Sequence, residues 1–276
     1  MSGSVSDADL CANDVRLKDF EHYALTLFTE PEHRRALLAL YAFNTEVSRV
    51  RDMVSQPLPG EIRLQWWADA VAGKEHGEVG GNPVAAELLR AIAEHHLPAG
   101  TIDSLIDAHR FDLYDDPMQT LIELENYAEQ TDGALLALGA QILGASSEQV
   151  ALLAGRAGRA IGIARTIRLL PLHASRRQLF LPADQIARLG VEPETVFAGQ
   201  TTPELLELIG HLRGIARSHL DAAVALLAAI PQTARPAFLL LALLRRELDA
   251  ENPDNPFQPV ERSRLRTLWT LWRAKF

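Results

Sequence analysis

Nearly the whole chain carries the spacing of apolar residues that is typical of amphipathic helices. Over residues 32–55, for example, apolar side chains recur mostly every three or four positions. Prolines and glycines fall between such segments, as at Asn82-Pro83, where an N-cap asparagine precedes a first-turn proline. In the same way, Pro117 begins a helix predicted over residues 117–143. The alternating pattern of a strand is nearly absent, and residues 178–181 are its one weak candidate. The sequence therefore predicts an all-α protein.

No segment has the length or composition of a linker between domains. The loop-like stretches 73–82 and 250–259 contain only ten residues each. Hydrophobic residues make up 47% of the 276 residues, which is enough to bury a substantial core. We expect one helical domain of about ten helices over residues 17–276, preceded by a mobile tail over residues 1–16.

Charge and composition exclude several classes of function. The formal net charge of −9 does not favour nucleic acid, and no zinc-ligand spacing occurs. Cys11 is the single cysteine, so no disulfide can form within the chain, and an ordinary thiol in the tail is expected. No apolar run approaches the roughly 20 residues of a membrane span, and the N-terminus lacks a signal-peptide core. We expect a cytoplasmic protein, at most peripheral on the inner membrane.

Three segments in register carry a resemblance to a known family. They are Tyr41-Ala42-Phe43 with the residues up to Asp52; Phe111-Asp112-Leu113 and Leu124-Glu125-Asn126-Tyr127 with the residues up to Gly133; and the residues from Gly158 to Pro182. Together they resemble squalene/phytoene synthases over about residues 20–244. The resemblance implies an isoprenoid-synthase-type helical bundle around a central apolar cavity. Active members join two allylic diphosphates, and their aspartates hold the Mg²⁺ that takes up the pyrophosphate leaving group.

The chain departs from that family where the aspartates are expected. The family pattern places aspartates at positions that here read Ser48, Arg49 and Asp52, so only Asp52 remains. A second aspartate pair is replaced by Leu169 and His173. Because an arginine repels a divalent cation, we expect no bound metal, and we assign no catalytic residue.

A narrower resemblance points to one branch of the family. The stretch 42–47, the tryptophan pair Trp66-Trp67 and the stretch 171–177 are similar to the complex I assembly factor 6-like proteins. This resemblance implies a protein that makes no isoprenoid and supports the maturation of respiratory complex I. Its expected partners are complex I subunits or assembly proteins.

A stretch of 35 residues, 149–183, contains six arginines and no acid. Arginine binds phosphate oxygens without a metal, so the stretch favours a site for a prenyl or phospholipid head group; salt bridges to neighbouring helices are the alternative. Arg165 shares a helical face with Gly162 and Leu169, the face that the family turns inward. His173 falls in a loop predicted over residues 172–181, and for it a structural hydrogen-bonded role is the alternative to ligand binding. The predicted phosphate ligands are Arg49, Arg165, His173, Arg176 and Arg177, and the predicted cavity wall is Tyr41, Phe43, Ser48, Tyr127, Gly162 and Leu169.

Two other interpretations remain open. A divergent Mg²⁺-dependent head-to-head prenyltransferase would use Asp52 and Asp112 as catalytic residues, with Asp52 as the metal ligand, and would recruit a further acid such as Glu46. Pairing of these acids with local arginines is the simpler alternative, since Arg49 lies one helical turn from Asp52. A scaffold whose interior is filled by its own side chains is the third interpretation. Three converging carboxylates would favour the enzyme, and arginines at the same place would favour the binding protein.

The C-terminal segment combines basic and apolar residues. Residues 261–276 contain five basic residues and one acid. Its apolar stripe is Leu265, Leu268, Trp269, Leu271 and Trp272. A basic helix with tryptophans can lie on an anionic membrane, and it can equally pack as the last helix of the bundle.

Overall fold

The structure is a computed structural model that describes residues 6–74, 79–250, 254–258 and 262–274. Every regular element in these ranges is helical, which confirms the all-α prediction, and no strand forms at residues 178–181. The α-helices are α1 (Asp7–Lys18), α2 (Phe20–Thr26), α3 (Pro31–Ser48), α4 (Val50–Met53), α5 (Pro57–Val71), α6 (Pro83–His95), α7 (Ala99–Ala108), α8 (Leu121–Ala128), α9 (Ala134–Ile142), α10 (Glu148–Arg168), α11 (Leu170–Ser175), α12 (Ala183–Leu189), α13 (Pro193–Phe197), α14 (Pro203–Leu226), α15 (Leu240–Asp249) and α16 (Arg264–Arg273).

The described ranges hold sixteen α-helices, more than the predicted ten, because several predicted helices are broken. A break at Arg49 divides the helix predicted over residues 32–55 into α3 and α4. One π-helical turn, Glu129–Gly133, interrupts the helix predicted over residues 117–143. The short helix α11 forms where the sequence predicts a loop. Such breaks depend on packing between helices, which the periodicity of one segment does not report.

The first helix corrects the prediction of a mobile tail over residues 1–16. The Ser6 hydroxyl accepts a hydrogen bond from the Asp9 backbone N–H, and the Asp9 carboxylate accepts one from the Ser6 N–H, which together cap α1. Cys11 and Val15 lie four positions apart and are buried where α1 packs on α3 and α6. Burial raises the pKa of the Cys11 thiol to about 12. Residues 1–5 lie outside the described residues.

Helix α10 runs through the middle of the bundle, packed against α8, α9, α14 and α15. Its glycines permit a close approach to the segment that carries the π-helical turn. A Cβ atom at Gly158 would lie 2.4 Å from the backbone nitrogen of Gly133. The small residues of α10 therefore let α8 and the π-helical turn lie close against it. This close contact fixes where the side chains of those two segments lie relative to α10. Among the described helices, none has both the length and the apolar character that a bilayer span requires.

Candidate functional site

A cavity of about 370 Å³ lies between α2, α3, α4, α8, α10 and α11, and we call it the central cavity. Its acidic lining residues are Asp19, Glu21, Asp52, Asp112 and Asp132, and its arginines are Arg49, Arg51, Arg165, Arg168 and Arg176. Its aliphatic and aromatic walls include Ile161, Leu169, Leu172, Phe180 and Leu240. The central cavity thus has apolar walls, and its acids and arginines are equal in number.

Asp52 lies between two guanidinium groups. Arg176, at the end of α11, donates through Nη1 to Asp52 Oδ1 at 2.7 Å. Arg49 Nε lies 3.6 Å from Asp52 Oδ2. The pairing with Arg49 follows from their spacing of three residues, whereas Arg176 arrives from 124 residues away along the chain. Two positive groups on one carboxylate leave this end of the cavity with an excess of positive charge.

Asp112 accepts hydrogen bonds from two aromatic side chains. The Tyr127 hydroxyl donates to both carboxylate oxygens, at 2.8 and 3.0 Å. His109, with its proton on Nδ1, donates to Oδ2 at 2.7 Å. Burial and then the negative charge of Asp112 raise the pKa of Tyr127 well above its ordinary value, so the phenol keeps its proton. Both oxygens of this carboxylate are therefore occupied within the protein.

Asp132 and Arg165 form a direct ion pair across the cavity wall. Arg165 Nη1 donates to Asp132 Oδ1 at 2.6 Å, and the exposed fractions of the two side chains are 28% for Arg165 and 11% for Asp132. Burial opposes the charge on the guanidinium, but Asp132, Tyr127 and Asp112 together outweigh that effect and raise the pKa of Arg165. Arg165 is therefore a fixed positive charge.

His173 is a neutral residue of the central cavity. It lies in α11 and not in a loop, and its ring stacks on Phe180 with centroids 4.4 Å apart. Burial lowers the pKa of His173 to about 4. At neutral pH the ring can therefore donate or accept a hydrogen bond but adds no charge.

Most of the predicted site residues meet in this cavity. Those that line it are Ser48, Arg49, Asp52, Asp112, Tyr127, Arg165, Leu169, His173 and Arg176. Arg177 does not, because its φ of +55° turns the backbone at the end of α11. Its guanidinium donates to Glu194 at 2.7 Å and lies over the Phe197 ring instead. The two adjacent arginines therefore point to different places.

Three residues predicted for the cavity wall lie elsewhere. Tyr41 is buried in the core against His22, with ring centroids 4.4 Å apart. Phe43 is fully buried and packs edge-on against Trp67. Gly162 lies at the contact of α10 with α8, where a Cβ would come within 2.3 Å of the Ala128 Cβ. Neighbouring helices cover all three, so none of them lines the cavity.

The sequence reasoning missed several polar residues of the cavity. The pair Asp19–His22, joined at 2.7 Å, could have been found from its spacing of three residues, as could His109 with Asp112. Asp132 could not, because five positions from Tyr127 place it about 140° away on a regular α-helix. The π-helical turn between them is wider and brings both to the cavity.

Five of the six arginines of the acid-free stretch pair with an acid, as the salt-bridge alternative expects, and the sixth lies beside a histidine. Arg159 donates to Glu129 and Arg168 to Glu247, and Arg156 lies 3.4 Å from His219. The other three are the arginines described above. Any phosphate in the cavity would therefore bind to guanidinium groups that acids already orient.

Comparison with known proteins identifies the family. The model of the squalene/phytoene synthase family matches residues 15–273. The chain belongs to the squalene/phytoene synthase family. Complex I assembly factor 6 of Mus musculus is 34% identical to this family member over 229 residues, covering 83% of this chain and 69% of that protein. The chloroplastic phytoene synthase of Daucus carota is 26% identical over 238 residues, covering 83% of this chain and 59% of that protein.

The fold of this family member is also found in a solved structure. A squalene synthase from Alicyclobacillus acidocaldarius superposes with a TM-score of 0.71 at 20% sequence identity, covering 88% of this chain and 94% of that chain. The expected family and fold class are thus confirmed. At this identity the likeness concerns the fold alone.

The family implies magnesium, and the residues of the central cavity do not fit it. Asp52, Asp112 and Asp132 already accept hydrogen bonds or ion pairs from Arg176, Tyr127 and Arg165. Within the described ranges, no three His, Cys, Asp or Glu side chains are placed to hold one metal ion. Glu46, the further acid that the enzyme interpretation invokes, lines a separate depression beside Asp14. At Asp52 and Asp132 a divalent ion would have to displace a guanidinium group that is already bound.

Proposed function

We propose that this family member is a non-catalytic binding protein that supports the assembly of respiratory complex I. Its central cavity holds the chain and phosphate of a prenyl or lipid ligand. One observation carries the proposal: Asp52, the acid retained from the family motif, lies between Arg49 and Arg176. Positive groups of the protein thus stand where the synthase resemblance calls for metal ions.

The electrostatics oppose the synthase reaction. A diphosphate leaves readily only when its developing charge is neutralised, which divalent ions accomplish in metal-dependent transfer. A Mg²⁺ ion at Asp52 would lie within a few ångströms of two guanidinium groups, which repel it. Asp112 is a weaker metal ligand than a free carboxylate, because Tyr127 donates to both of its oxygens and His109 donates to Oδ2.

The same electrostatics favour a phosphate without a metal. Each guanidinium has five N–H donors, and the bonds of Arg165 and Arg176 to their aspartates each use one. The Arg49 side chain is 49% exposed and only loosely paired. These donors can bind phosphate oxygens, while Leu169 and Phe180 supply apolar surface for a hydrocarbon chain. Arg177, although predicted as a ligand, has no part in this site.

The role in complex I assembly is supported by the similarity to assembly factor 6 of Mus musculus, which is greater than that to the carrot phytoene synthase. Complex I subunits or other assembly proteins would be the partners. In this proposal the protein acts from the cytoplasm at the inner membrane.

A product assay tests the non-catalytic claim. The purified chain is incubated with farnesyl or geranylgeranyl diphosphate and Mg²⁺, with the Alicyclobacillus squalene synthase as the positive control. We expect no squalene and no phytoene from this chain. Robust formation of either would reject the proposal in favour of the divergent prenyltransferase.

Two adjacent arginines provide a matched test of ligand binding. Farnesyl diphosphate is titrated calorimetrically without metal into the Arg176→Gln and Arg177→Gln variants. We expect Arg176→Gln to weaken binding about tenfold or more, because a charge-assisted hydrogen bond is lost. Arg177→Gln should bind as the wild type does, since this side chain faces Glu194. Equal affinities in the two variants, or no binding by the wild type, would contradict the proposed site.

The assembly role is tested in cells that lack this chain. Their membranes should contain less assembled complex I and oxidise NADH more slowly than the parent strain. Wild-type chain should restore both, and Arg177→Gln should restore them equally. Normal complex I in the deletion strain would exclude the assembly role while leaving the ligand site to be judged by calorimetry.

A further inference from the structure

Helix α16 presents two apolar faces. Thr267 and Leu271 are buried where the helix packs on α15 and α2. Leu265, Trp269 and Trp272 are instead 80%, 53% and 56% exposed. At about 100° per residue these three side chains fall within an arc of about 60°, roughly opposite the buried pair. The helix therefore packs on the bundle and also carries an exposed strip, which we call the outer strip (Leu265, Trp269 and Trp272).

A second cavity of about 300 Å³ lies beside this helix, between α10, α14, α15 and α16. We call it the arginine groove. Its charged lining residues are Arg168, Arg213, Arg246, Arg262, Arg266 and Glu247, and its hydroxyl groups belong to Ser263, Thr267 and Thr270. Five guanidinium groups thus face one carboxylate.

Three of these arginines are bonded to acids or carbonyl groups of the protein itself. Arg168 donates to Glu247 at 3.1 Å, and Arg262 bridges Glu247 and Glu21. Arg213 donates to backbone carbonyls at the end of α15, including that of Ala250 at 2.7 Å. The carboxylate of Glu247 and the free backbone carbonyls at the end of α15 thus have hydrogen-bond partners.

The other two arginines have no acidic partner among the described residues. Within the described residues, Arg246 donates only to the Thr270 hydroxyl, at 3.2 Å. Arg266 makes no hydrogen bond or ion pair within the described part of the chain, and both side chains are exposed. Surface arginines normally keep their charge in water, so both are available to an anion beside the groove hydroxyls.

The positive charge and the outer strip form one continuous surface. On the helical wheel of α16, Arg266 and Arg273 fall about 80–100° from Leu265, between the outer strip and the groove side of the helix. The Arg273 guanidinium lies 4.8 Å from the centre of the Trp269 ring. Residues 262–274 contain four arginines and no acid. Exposed indole rings are thus bordered by cations along their length.

We propose that this surface docks on an anionic lipid membrane. The outer strip enters the interface between head groups and acyl chains, while Arg246 and Arg266 bind lipid phosphates at the arginine groove. Tryptophan favours this interface because one edge of its ring is polar and the rest apolar. Clustered arginines add attraction to anionic head groups. This contact does not depend on any ligand in the central cavity.

Charge favours a membrane over a second copy of the chain as the occupant. A symmetric dimer through the outer strip would bring the same arginines of two copies together. Such like-charge contacts are unfavourable at an interface, whereas an anionic bilayer complements them. The membrane is therefore the occupant that the described residues match.

Vesicle sedimentation tests the proposal on the full chain. We expect binding to vesicles of phosphatidylcholine and phosphatidylglycerol in equal parts, and much weaker binding to phosphatidylcholine alone. The double variant Arg246→Gln/Arg266→Gln should bind the anionic vesicles about 30-fold more weakly, because each arginine near such a surface strengthens binding about fivefold to sixfold. Trp269→Ala/Trp272→Ala should weaken binding about tenfold or more through lost apolar contact.

Matched controls carry the same changes to other surfaces. Arg63→Gln/Arg188→Gln removes two exposed arginines, and Ile122→Ala/Leu152→Ala removes two exposed apolar side chains. Both controls should bind within about twofold of the wild type. Equal loss in the arginine variants and their control would show an effect of net charge only and would overturn the site.

Fluorescence and oligomeric state supply independent readouts. Anionic vesicles should shift the tryptophan emission of the wild type to the blue, and Trp269→Phe/Trp272→Phe should remove the shift while circular dichroism stays helical. An unchanged emission, or no sedimentation with either vesicle, would overturn the proposal. A dimer in sedimentation velocity that Trp269→Ala/Trp272→Ala converts to a monomer would assign the strip to a second copy and also overturn it.

Discussion

The central cavity and the arginine groove use the same residue type to different effect. Each is lined by five arginines, but the cavity sets five acids against them and the groove only one. In the cavity Arg165 and Arg176 are oriented by Asp132 and Asp52. In the groove, Arg246 and Arg266 have no acidic partner among the described residues. The number of arginines therefore says little about a site, and the acids that face them decide its role.

The two regions meet at one set of ion pairs. Arg168 lines both cavities, and Arg262 in the groove bonds to Glu21 of the central cavity. Glu247 joins the two arginines. Burial lowers the pKa of the Arg168 guanidinium, and the nearby charge of Arg262 lowers it further. These ion pairs form a wall between the central cavity, where acids and arginines are equal in number, and the arginine groove, where arginines outnumber acids.

The largest expected contrast is in stability. Arg165→Met should lower the free energy of unfolding by about 3–4 kcal/mol, because it leaves the nearly buried Asp132 carboxylate without its partner. Arg266→Gln in the groove should change it by less than about 0.5 kcal/mol. Urea unfolding measures both values.

The double variant Arg165→Met/Asp132→Leu separates pairing from packing. Removing both charges should recover most of the loss, since no uncompensated carboxylate remains. If Arg165→Met and Arg266→Gln proved equally mild, the distinction between balanced and unbalanced arginines would fail.

The second contrast is in pH dependence. The pKa of His173 lies at about 4 in the folded chain, below its ordinary 6.5, so the unfolded chain binds this proton first as the pH falls. Stability from this residue is present above pH 6.5 and is lost toward pH 4. Allowing for its partial exposure, the wild type should lose about 1 kcal/mol more than His173→Phe between neutral pH and pH 5.

Membrane binding at the arginine groove should not weaken as the pH falls, because arginine does not titrate between neutral pH and about pH 5. Binding to anionic vesicles should therefore stay constant between neutral pH and about pH 5, where phosphatidylglycerol keeps its charge. Parallel pH curves for unfolding and vesicle binding would contradict the independence of the two regions. Identical curves for the wild type and His173→Phe would contradict the assignment of His173.

The smallest effect is expected at an arginine that belongs to neither region. Arg177 pairs with Glu194, and the two side chains are 64% and 75% exposed. Exposed ion pairs contribute about 0–1 kcal/mol, so Arg177→Gln should lower the unfolding free energy by no more than about 0.5 kcal/mol. A loss as large as that of Arg165→Met would show that exposure is a poor guide here.

Local spacing explains what the sequence could predict. The helical class and the pairing of Arg49 with Asp52 follow from neighbours three or four residues apart. The same spacing puts Leu265, Trp269 and Leu271 in one apolar stripe, of which the structure buries Leu271 and exposes the other two. Such patterns need no knowledge of the tertiary fold.

Features set by tertiary packing could not be predicted in this way. Polar residues surround Cys11 and Val15, so local spacing predicts a tail where the structure has the capped helix α1. The π-helical turn places Asp132 in the cavity, and no periodic pattern in the sequence predicts this turn. Arg176 reaches Asp52 across 124 residues, while its neighbour Arg177 turns away. The chemistry of the site depends on these contacts more than on the motifs themselves.

One titration tests most directly whether the chain's own cations have replaced the metal. The chain is titrated with Mn²⁺ at neutral pH, with farnesyl thiodiphosphate present, and bound ions are counted by electron paramagnetic resonance. Since Arg176 and Arg49 hold Asp52, we predict no protein-dependent population beyond the Mn²⁺ that the free ligand binds. A saturable set of bound ions that Asp52→Asn abolishes would contradict the account.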